Sequence, residues 1–507
     1  MNAAVPVILG AELGTDDQVA VAAATEAPSG RHVHLLGIGG TGMSPLARVC
    51  LGRGDEVTGS DALGSPRVEA LQALGARIRV GPSRDLDRAE LEKWLIGADL
   101  VVASSALPAD DPELLAAREL GIPVRKRSQW LPEVTAGHDL VAVAGSHGKS
   151  TTASMLTVVL RDGRLDPTAV IGAEVEALGG NAVVGAGRHF VLEADEYDGA
   201  FAGLDPYLAI ITNVEWEHPD LFADEAAVRA AFTAFAARIR PDGYLIVCAD
   251  DPGARAVAAT LPDGGPRVVS YGIRPLPAGR PSGLGWRATD IRADGSGGSF
   301  ASVLRGDEPV GTLRLRLPGA HNVANALAVV AAASELGVPL AVALQSLSAF
   351  AGAARRFQVV GTADAGADGR RGPVEVVDDY AHHPTEIAAT LAAARSRAGD
   401  RAVWAVIQPH TFSRLAALMD GFATAFSLAD RVYVTDIYAA REHDDLGLHG
   451  ADLARRIVRP TAVYTPDADL LDRLVSDLAD GAPAGALVLT LGAGDITDVG
   501  PRLLAAL

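Results

Sequence analysis

Lysine is almost missing from this chain: of 44 basic residues in 507, only Lys93, Lys126 and Lys149 are lysine, and the others are arginine. Positive charge is scarce altogether, since 63 acidic residues leave a formal net charge of −19. That excludes a nucleic-acid or anionic-membrane surface, which needs an excess of basic residues. Phosphates can be held only in small, local sites. Two cysteines, Cys50 and Cys248, cannot form a disulfide framework, so a reduced, cytoplasmic setting is expected. Long apolar runs are absent too. The most hydrophobic stretch, 326–344, is broken by Ser334, Glu335, Gly337 and Pro339 and reads as a buried helix, a turn and a second helix. Residues 1–30 have no basic start and carry Glu12, Asp16, Asp17 and Glu26, which is wrong for a signal peptide. They are expected to form a flexible extension.

Core-forming material is plentiful, at 49% hydrophobic residues, and the length suits about three domains. Three stretches alternate short β-branched runs with helical patterns, the signature of parallel sheets covered by helices and hence of an α/β fold. The first holds "HVHLLGI", "DEVTGSD", "ARIRVG" and "DLVVASSA". The second opens with "DLVAVAGSHGKSTTASML" and continues through "HFVLEADE", "YLAIITNVEWEH" and "YLIVCADD". Within it, 275–317 alternates like a small antiparallel insert. The third holds "VEVVDDYAHHP", "AVWAVIQPH", "RVYVTDIYAAR" and "ALVLTLGAGD", with 361–373 expected as a flexible loop between its first strands.

Lys149 lies in the segment "VAGSHGKSTT", where Gly145, Ser146, His147, Gly148, Lys149, Ser150 and Thr151 join a strand to an apolar-periodic helix. A phosphate cradle needs that context: glycines let the backbone approach, helix N-terminal N–H groups face the anion, and a lysine neutralises charge. Only two residues separate Gly145 from Gly148, against four in the common P-loop, so this is a variant loop. A compact ammonium fits between phosphates where a planar guanidinium does not. A second loop, Gly37, Gly39, Gly40, Thr41 and Gly42, follows a strand, and Asp61 comes about twenty residues later. Alone it supports an NAD-dependent dehydrogenase. The loop says only that a pyrophosphate meets a helix N-terminus, and a nucleotide sugar supplies one equally well. The dehydrogenase reading leaves Lys149 and the acids below without a purpose, and ranks behind.

Glu193, Asp195 and Glu196 fall at the end of one expected strand and His218 just past the next. In a parallel sheet both project at the carboxyl edge, beside the lysine loop. Carboxylates near phosphates usually hold Mg²⁺, a hard cation. Asn322 and Asn325 begin a later helix; "DDYAHHPTE" crowds Asp379, Tyr380 and His382 at a strand end, and "QPHTFSR" adds His410 and Arg414. Strand-end clusters of this kind are more often site than scaffold.

Taken in order, "GIGGTGMS", "SSALP", "GSHGKST", "EADEYD", "TNVEWEH", "HNVANA", "RRFQ", "DDYAHHPTE", "QPHTFSR", "DIYAARE" and "GAGDI" closely resemble the Mur ligase family, over about residues 31–507. The resemblance implies three domains: a Rossmann-like UDP-sugar-binding domain (31–134), a central P-loop-type ATP-binding domain with the antiparallel insert (135–354) and a Rossmann-like C-terminal domain that brings the amino acid (355–507). It implies ATP-dependent ligation of L-alanine to the lactyl carboxylate of UDP-N-acetylmuramate through an acyl phosphate, with Mg²⁺ as cofactor, in a monomer or homodimer. A relative that attaches a ready-made tripeptide to the same sugar is the nearer alternative. Carried over, Lys149 and Ser150 match the ATP-loop lysine and its metal-side hydroxyl, and Glu193 and His218 match further metal ligands. Asn322 and Asn325 look like adenine contacts, and Arg356 and Asp379 match groups near the phosphates and ribose. Tyr380, His382 and Arg414 fall where the amino acid is handled, with His382 as proton acceptor. Gly37–Gly42 become the UDP-pyrophosphate loop, with Asp61 and Ser104 nearby. The chain departs from the family in places. No lysine follows Lys149, so the carbamylated lysine of sibling ligases has no counterpart. "EWEHP" replaces the commoner acid-x-aspartate-His-Met pattern, Gln129 stands where an acid is frequent, and "HDDLGLHG" after "DIYAARE" is atypical.

Overall fold

Each of the six residues of the strand Asp139–Ala144 is buried, as a strand covered by helices on both faces must be. The same reasoning holds for the central strands of three separate sheets in the computed structural model, which describes residues 30–274, 285–294, 297–366, 372–482 and 484–507. The expected N-terminal extension lies outside the described residues apart from Gly30.

The first sheet is all parallel and runs Arg77–Val80, Glu56–Asp61, His32–Leu36, Leu100–Ala103, Val124–Lys126 across its width. Strand order reverses at His32–Leu36, so a crevice opens beyond its carboxyl end, where such sheets bind ligands. Gly37 to Gly42 lie there.

The second sheet has ten strands, with Asp139–Ala144 between Leu208–Ile211 and His189–Glu193. The antiparallel strands Trp286–Ala293, Ser299–Arg305 and Glu308–Leu315 are no separate lobe. They extend this sheet, because Trp286–Ala293 pairs in parallel with Arg267–Gly272. The helix Lys149–Asp162 is buried from Ser150 to Leu160 and packs beside Ala320–Glu335, whose run "ALAVVAAA" is also buried. Alanines allow the two helices to approach closely, which brings Asn325 to the lysine loop. The 326–344 stretch is helix, turn and helix, ending in Leu340–Ala349.

The third sheet has six strands, in the order Gln358–Ala363, Val374–Asp379, Ala486–Leu491, Ala402–Ile407, Arg431–Val434, Thr461–Tyr464. Its first pair is antiparallel and the rest parallel. The expected loop 361–373 differs from this at its start, where residues 361–363 close the edge strand; residues 367–371 lie outside the described ones. No described helix is long and apolar enough to cross a membrane.

Candidate active site

The lysine loop leaves Asp139–Ala144 with two glycines in backbone conformations that other residues rarely adopt. Gly145 has φ +139° and Gly148 φ +81°. A Cβ on Gly145 would lie 1.9 Å from Thr212 Oγ1, and one on Gly148 would lie 2.8 Å from Asn325 Oδ1. The loop is therefore clamped between the next strand's end and the asparagine helix. Thr212 Oγ1 donates to His147 O at 2.6 Å, and Asn213 Oδ1 accepts from His147 N at 2.8 Å.

Lys149 begins the helix, and its Nζ donates to Glu196 Oε2 at 2.7 Å, with Asp195 Oδ1 at 3.8 Å. Burial works against its charge, but Glu196 and Asp195 more than offset that and hold the ammonium above the usual lysine range. One cation is shared by two acids. Burial, only partly opposed by Lys149, pushes Glu196 up to about 8. Asp195 goes the other way: burial alone would raise it, but Lys149, His218 and Arg127 hold it below the usual range. Glu196 is 2% exposed and its Oε1 has no hydrogen-bond partner. Ligand atoms of Asp195, Glu196 and His218 all lie within 4.8 Å of one another. A bare buried carboxylate oxygen beside a second acid and an imidazole, which burial lowers to about 4 and so keeps neutral, is a donor set that suits a divalent cation.

The expected metal set is divided by this geometry. Ser150 Oγ donates to Glu193 Oε1 at 2.7 Å, and Glu193 Oε2 accepts from Gly172 N at 2.6 Å. The carboxylates gathered with His218 are Asp195 and Glu196, not Glu193. Arg356 Nη2 reaches Ser150 Oγ at 3.1 Å from the start of the third sheet's segment, and its guanidinium lies over the Tyr380 ring at 4.8 Å. Asp379 accepts from Phe357 N and Ala381 N, both at 2.8 Å, so it orders the backbone that carries Arg356. Burial pushes it up to about 6 although Arg356 pulls the other way. Asn325 meets the loop at Gly148, whereas Asn322 donates to Pro318 O at 2.8 Å. Of the eight non-glycine residues with positive φ among those described, His218, Arg355, Phe357 and Thr411 flank this site; local strain of this kind gathers at functional sites.

A second group joins the central sheet to the C-terminal one. His382 Nδ1 lies 2.9 Å from Tyr380 O. Nε2 faces Glu217 Oε1 at 3.5 Å, which Arg414 also contacts through Nη2 at 3.0 Å. His147 is ringed by Glu215 at 2.9 Å, Glu386 at 3.3 Å and Glu217 at 3.5 Å. Burial disfavours its charge, yet Glu386, Glu215 and Glu217 raise it to about 10. It is an imidazolium that pins the lysine loop to the C-terminal domain, assisted by Thr385 Oγ1 donating to Glu215 Oε1 at 2.6 Å. His410 bonds Arg414 through Nδ1 at 3.0 Å.

In the first sheet, Asp61 Oδ2 accepts from Gly39 N at 2.8 Å, and a Cβ on Gly37 would lie 3.1 Å from Ser104 Cβ. Gly39 thus meets Asp61 and Gly37 meets Ser104, while Gly40, Thr41 and Gly42 continue the same loop. Sequence reasoning passed over Glu217, Glu386 and Arg127. Arg127 stands 3.0 Å from where a Gly42 Cβ would be, and its buried Nε has no partner. The signal for Glu217 was its alternation with Glu215 past a strand end; Arg127 had none.

A nucleotide loop, a carboxylate–lysine cluster and an arginine-bearing third domain together define an ATP-dependent ligase. The chain belongs to the Mur ligase family. Family models described as Mur ligase family, catalytic domain; Mur ligase middle domain; and Mur ligase, glutamate ligase domain match residues 32–139, 143–333 and 355–494. The chain is 58% identical over 492 residues to UDP-N-acetylmuramate–L-alanine ligase of Frankia casuarinae, covering 94% of this chain and 98% of the relative. It is 42% identical over 484 residues to the protein of that name in Mycobacterium tuberculosis strain H37Ra, with 95% of each covered. The solved UDP-N-acetylmuramate-alanine ligase MurC of Thermotoga maritima superposes with a TM-score of 0.74 at 27% identity, covering 94% of this chain and 98% of that one. A murein peptide ligase of Psychrobacter arcticus gives 0.65 at 27% identity with the same coverage.

Proposed function

We infer that this enzyme joins L-alanine to the lactyl carboxylate of UDP-N-acetylmuramate with hydrolysis of ATP to ADP and phosphate, a step of peptidoglycan precursor synthesis in the cytoplasm. The observation that carries the reading is the contact of Arg356 with Ser150, which puts a guanidinium from the third domain beside Lys149 at the lysine loop. Residues 31–134 hold the UDP-sugar, 135–354 hold ATP and 355–507 bring the amino acid.

Phosphoryl transfer needs charge neutralisation and in-line positioning, not a protein nucleophile. Lys149 and Arg356 neutralise charge, and the loop N–H groups cradle the phosphates. Asp195, Glu196 and His218, with Glu193 through Ser150, would hold Mg²⁺, which when bound supplies further neutralisation of phosphate oxygens. A carboxylate oxygen of the sugar attacks the γ-phosphorus, and the bond to the ADP oxygen breaks. The neutral amine of alanine then attacks the acyl carbon, and phosphate leaves with the bonding electrons. His382 takes the amine proton.

The tripeptide-adding reading keeps some support from "EADEYD", but "RRFQ", "QPHTFSR" and "DIYAARE", together with relatives at 42% and 58% identity that bear the L-alanine name, favour alanine. Product mass spectrometry with each amine separates them. L-alanine is expected to be ligated with kcat/KM at least ~100-fold above the murein tripeptide; the reverse preference would move the protein to the recycling ligases.

A further inference from the structure

The arginine expected to meet the amino acid already carries a carboxylate. Glu217 is 3% exposed and Arg414 4%, and Oε1 of Glu217 lies 3.0 Å from Nη2 and 3.2 Å from Nε of Arg414. Glu217 lies past the end of the central-sheet strand Leu208–Ile211 and Arg414 in the C-terminal helix Phe412–Ala425, 197 residues further on. The other oxygen, Oε2, is met by His147 Nδ1 at 3.5 Å, beyond ordinary hydrogen-bond length, and His147 Nδ1 itself has no hydrogen-bond partner. Glu217 therefore has acceptor capacity left at the point where three cationic or basic side chains converge.

We infer that Glu217 receives the α-ammonium of the incoming amino acid while Arg414 takes its α-carboxylate. Resting on the proposed ligase activity, this assigns an amino-acid contact to the central domain. Separating a buried ion pair leaves two uncompensated charges, which is costly. A zwitterion can part this pair without that cost, because its ammonium replaces the guanidinium at Glu217 and its carboxylate replaces Glu217 at Arg414. The two charges of an α-amino acid flank one carbon, and so match an acid and a guanidinium that already touch. His382 Nε2, 3.5 Å from the same Glu217 oxygen, then stands next to the ammonium that must lose a proton before it can attack. The extra methylene of glutamate, where the family commonly has aspartate, carries the carboxylate farther from the backbone toward the C-terminal domain.

The test compares L-alanine with L-lactate, which keeps the carboxylate and methyl group but has a hydroxyl in place of the ammonium. Half-saturation by L-alanine and inhibition by L-lactate are measured at saturating ATP and UDP-N-acetylmuramate, in the parent, Glu217→Gln and Glu217→Asp. Each enzyme yields a ratio, so disturbance common to both ligands cancels. The parent is expected to favour L-alanine at least ~10-fold, Glu217→Asp to keep that preference within ~3-fold, and Glu217→Gln to lose at least ~10-fold of it. An unchanged ratio in Glu217→Gln overturns the inference. If that variant does not fold, the parent decides, because L-lactate binding as tightly as L-alanine overturns it equally. A parent that turns over no L-alanine at all would refute the ligase reading instead, which keeps the two failures apart.

Discussion

Lys149→Arg is expected to lower kcat by at least ~100-fold with the fold retained. The ammonium reaches Glu196 at 2.7 Å inside a buried pocket whose other walls are Asp195 and the loop carbonyl of Ser146, 3.4 Å away. A guanidinium keeps the charge but is wider and planar, so it must displace either the acid cluster or the phosphate. Misplacement by about an ångström is enough for a ~100-fold loss. Single-turnover kinetics and circular dichroism check both halves of this expectation. A variant with near-parent kcat would mean that any cation serves, and that the chain's one lysine in a phosphate loop has no chemical reason to be there.

Gly145→Ala is expected to remove nearly all turnover as well, by a different route. Its φ of +139° is one that L residues rarely adopt, and the new Cβ would lie 1.9 Å from Thr212 Oγ1. Thr212 cannot simply move aside, since that hydroxyl holds His147 O at 2.6 Å and its own N–H bonds Ala144 O. Either the loop shifts off the phosphates or the sheet end opens. Strain of this class costs roughly 1–3 kcal/mol, so thermal unfolding of the variant should begin a few degrees lower while kcat/KM for ATP falls at least ~50-fold. A double variant that adds Thr212→Ala should recover part of the stability, because the closest clash is gone. Parent-like ATP kinetics in Gly145→Ala would show that the loop does not depend on this glycine.

The strands that were legible in the sequence are the central ones, such as "DLVAVA" and "ALVLTL", because burial on both faces leaves them uniformly apolar. Two edge strands escaped notice: Val124–Lys126 and Thr461–Tyr464 have no fully buried residue, so nothing in their pattern distinguishes them from loop, whereas the edge strand Arg77–Val80, with Ile78 buried, was legible as "ARIRVG". The two glycine loops were legible since their chemistry is local. The ring of Glu215, Glu217 and Glu386 around His147 was not, because Glu386 completes it only when the C-terminal domain sits on the central one. Likewise Glu193 stands at a strand end next to two other acids, and only the fold reveals that it turns to Ser150 and Gly172 while Asp195 and Glu196 turn to His218.

The central claim is that a carboxylate must be activated by ATP before an amine can displace phosphate, and phosphate release under omission of each component tests it most directly. With Mg²⁺, ATP, UDP-N-acetylmuramate and L-alanine all present, release should be sustained. Without the UDP-sugar none is expected, whether or not alanine is added; without alanine ADP formation should stop within about one turnover and phosphate should not be released, because the acyl phosphate holds it until the amine displaces it. Chelating Mg²⁺ should abolish it, and NAD should neither bind nor change absorbance. Sustained phosphate release from ATP and alanine alone, or from ATP with a simple carboxylic acid in place of the UDP-sugar, would contradict the account.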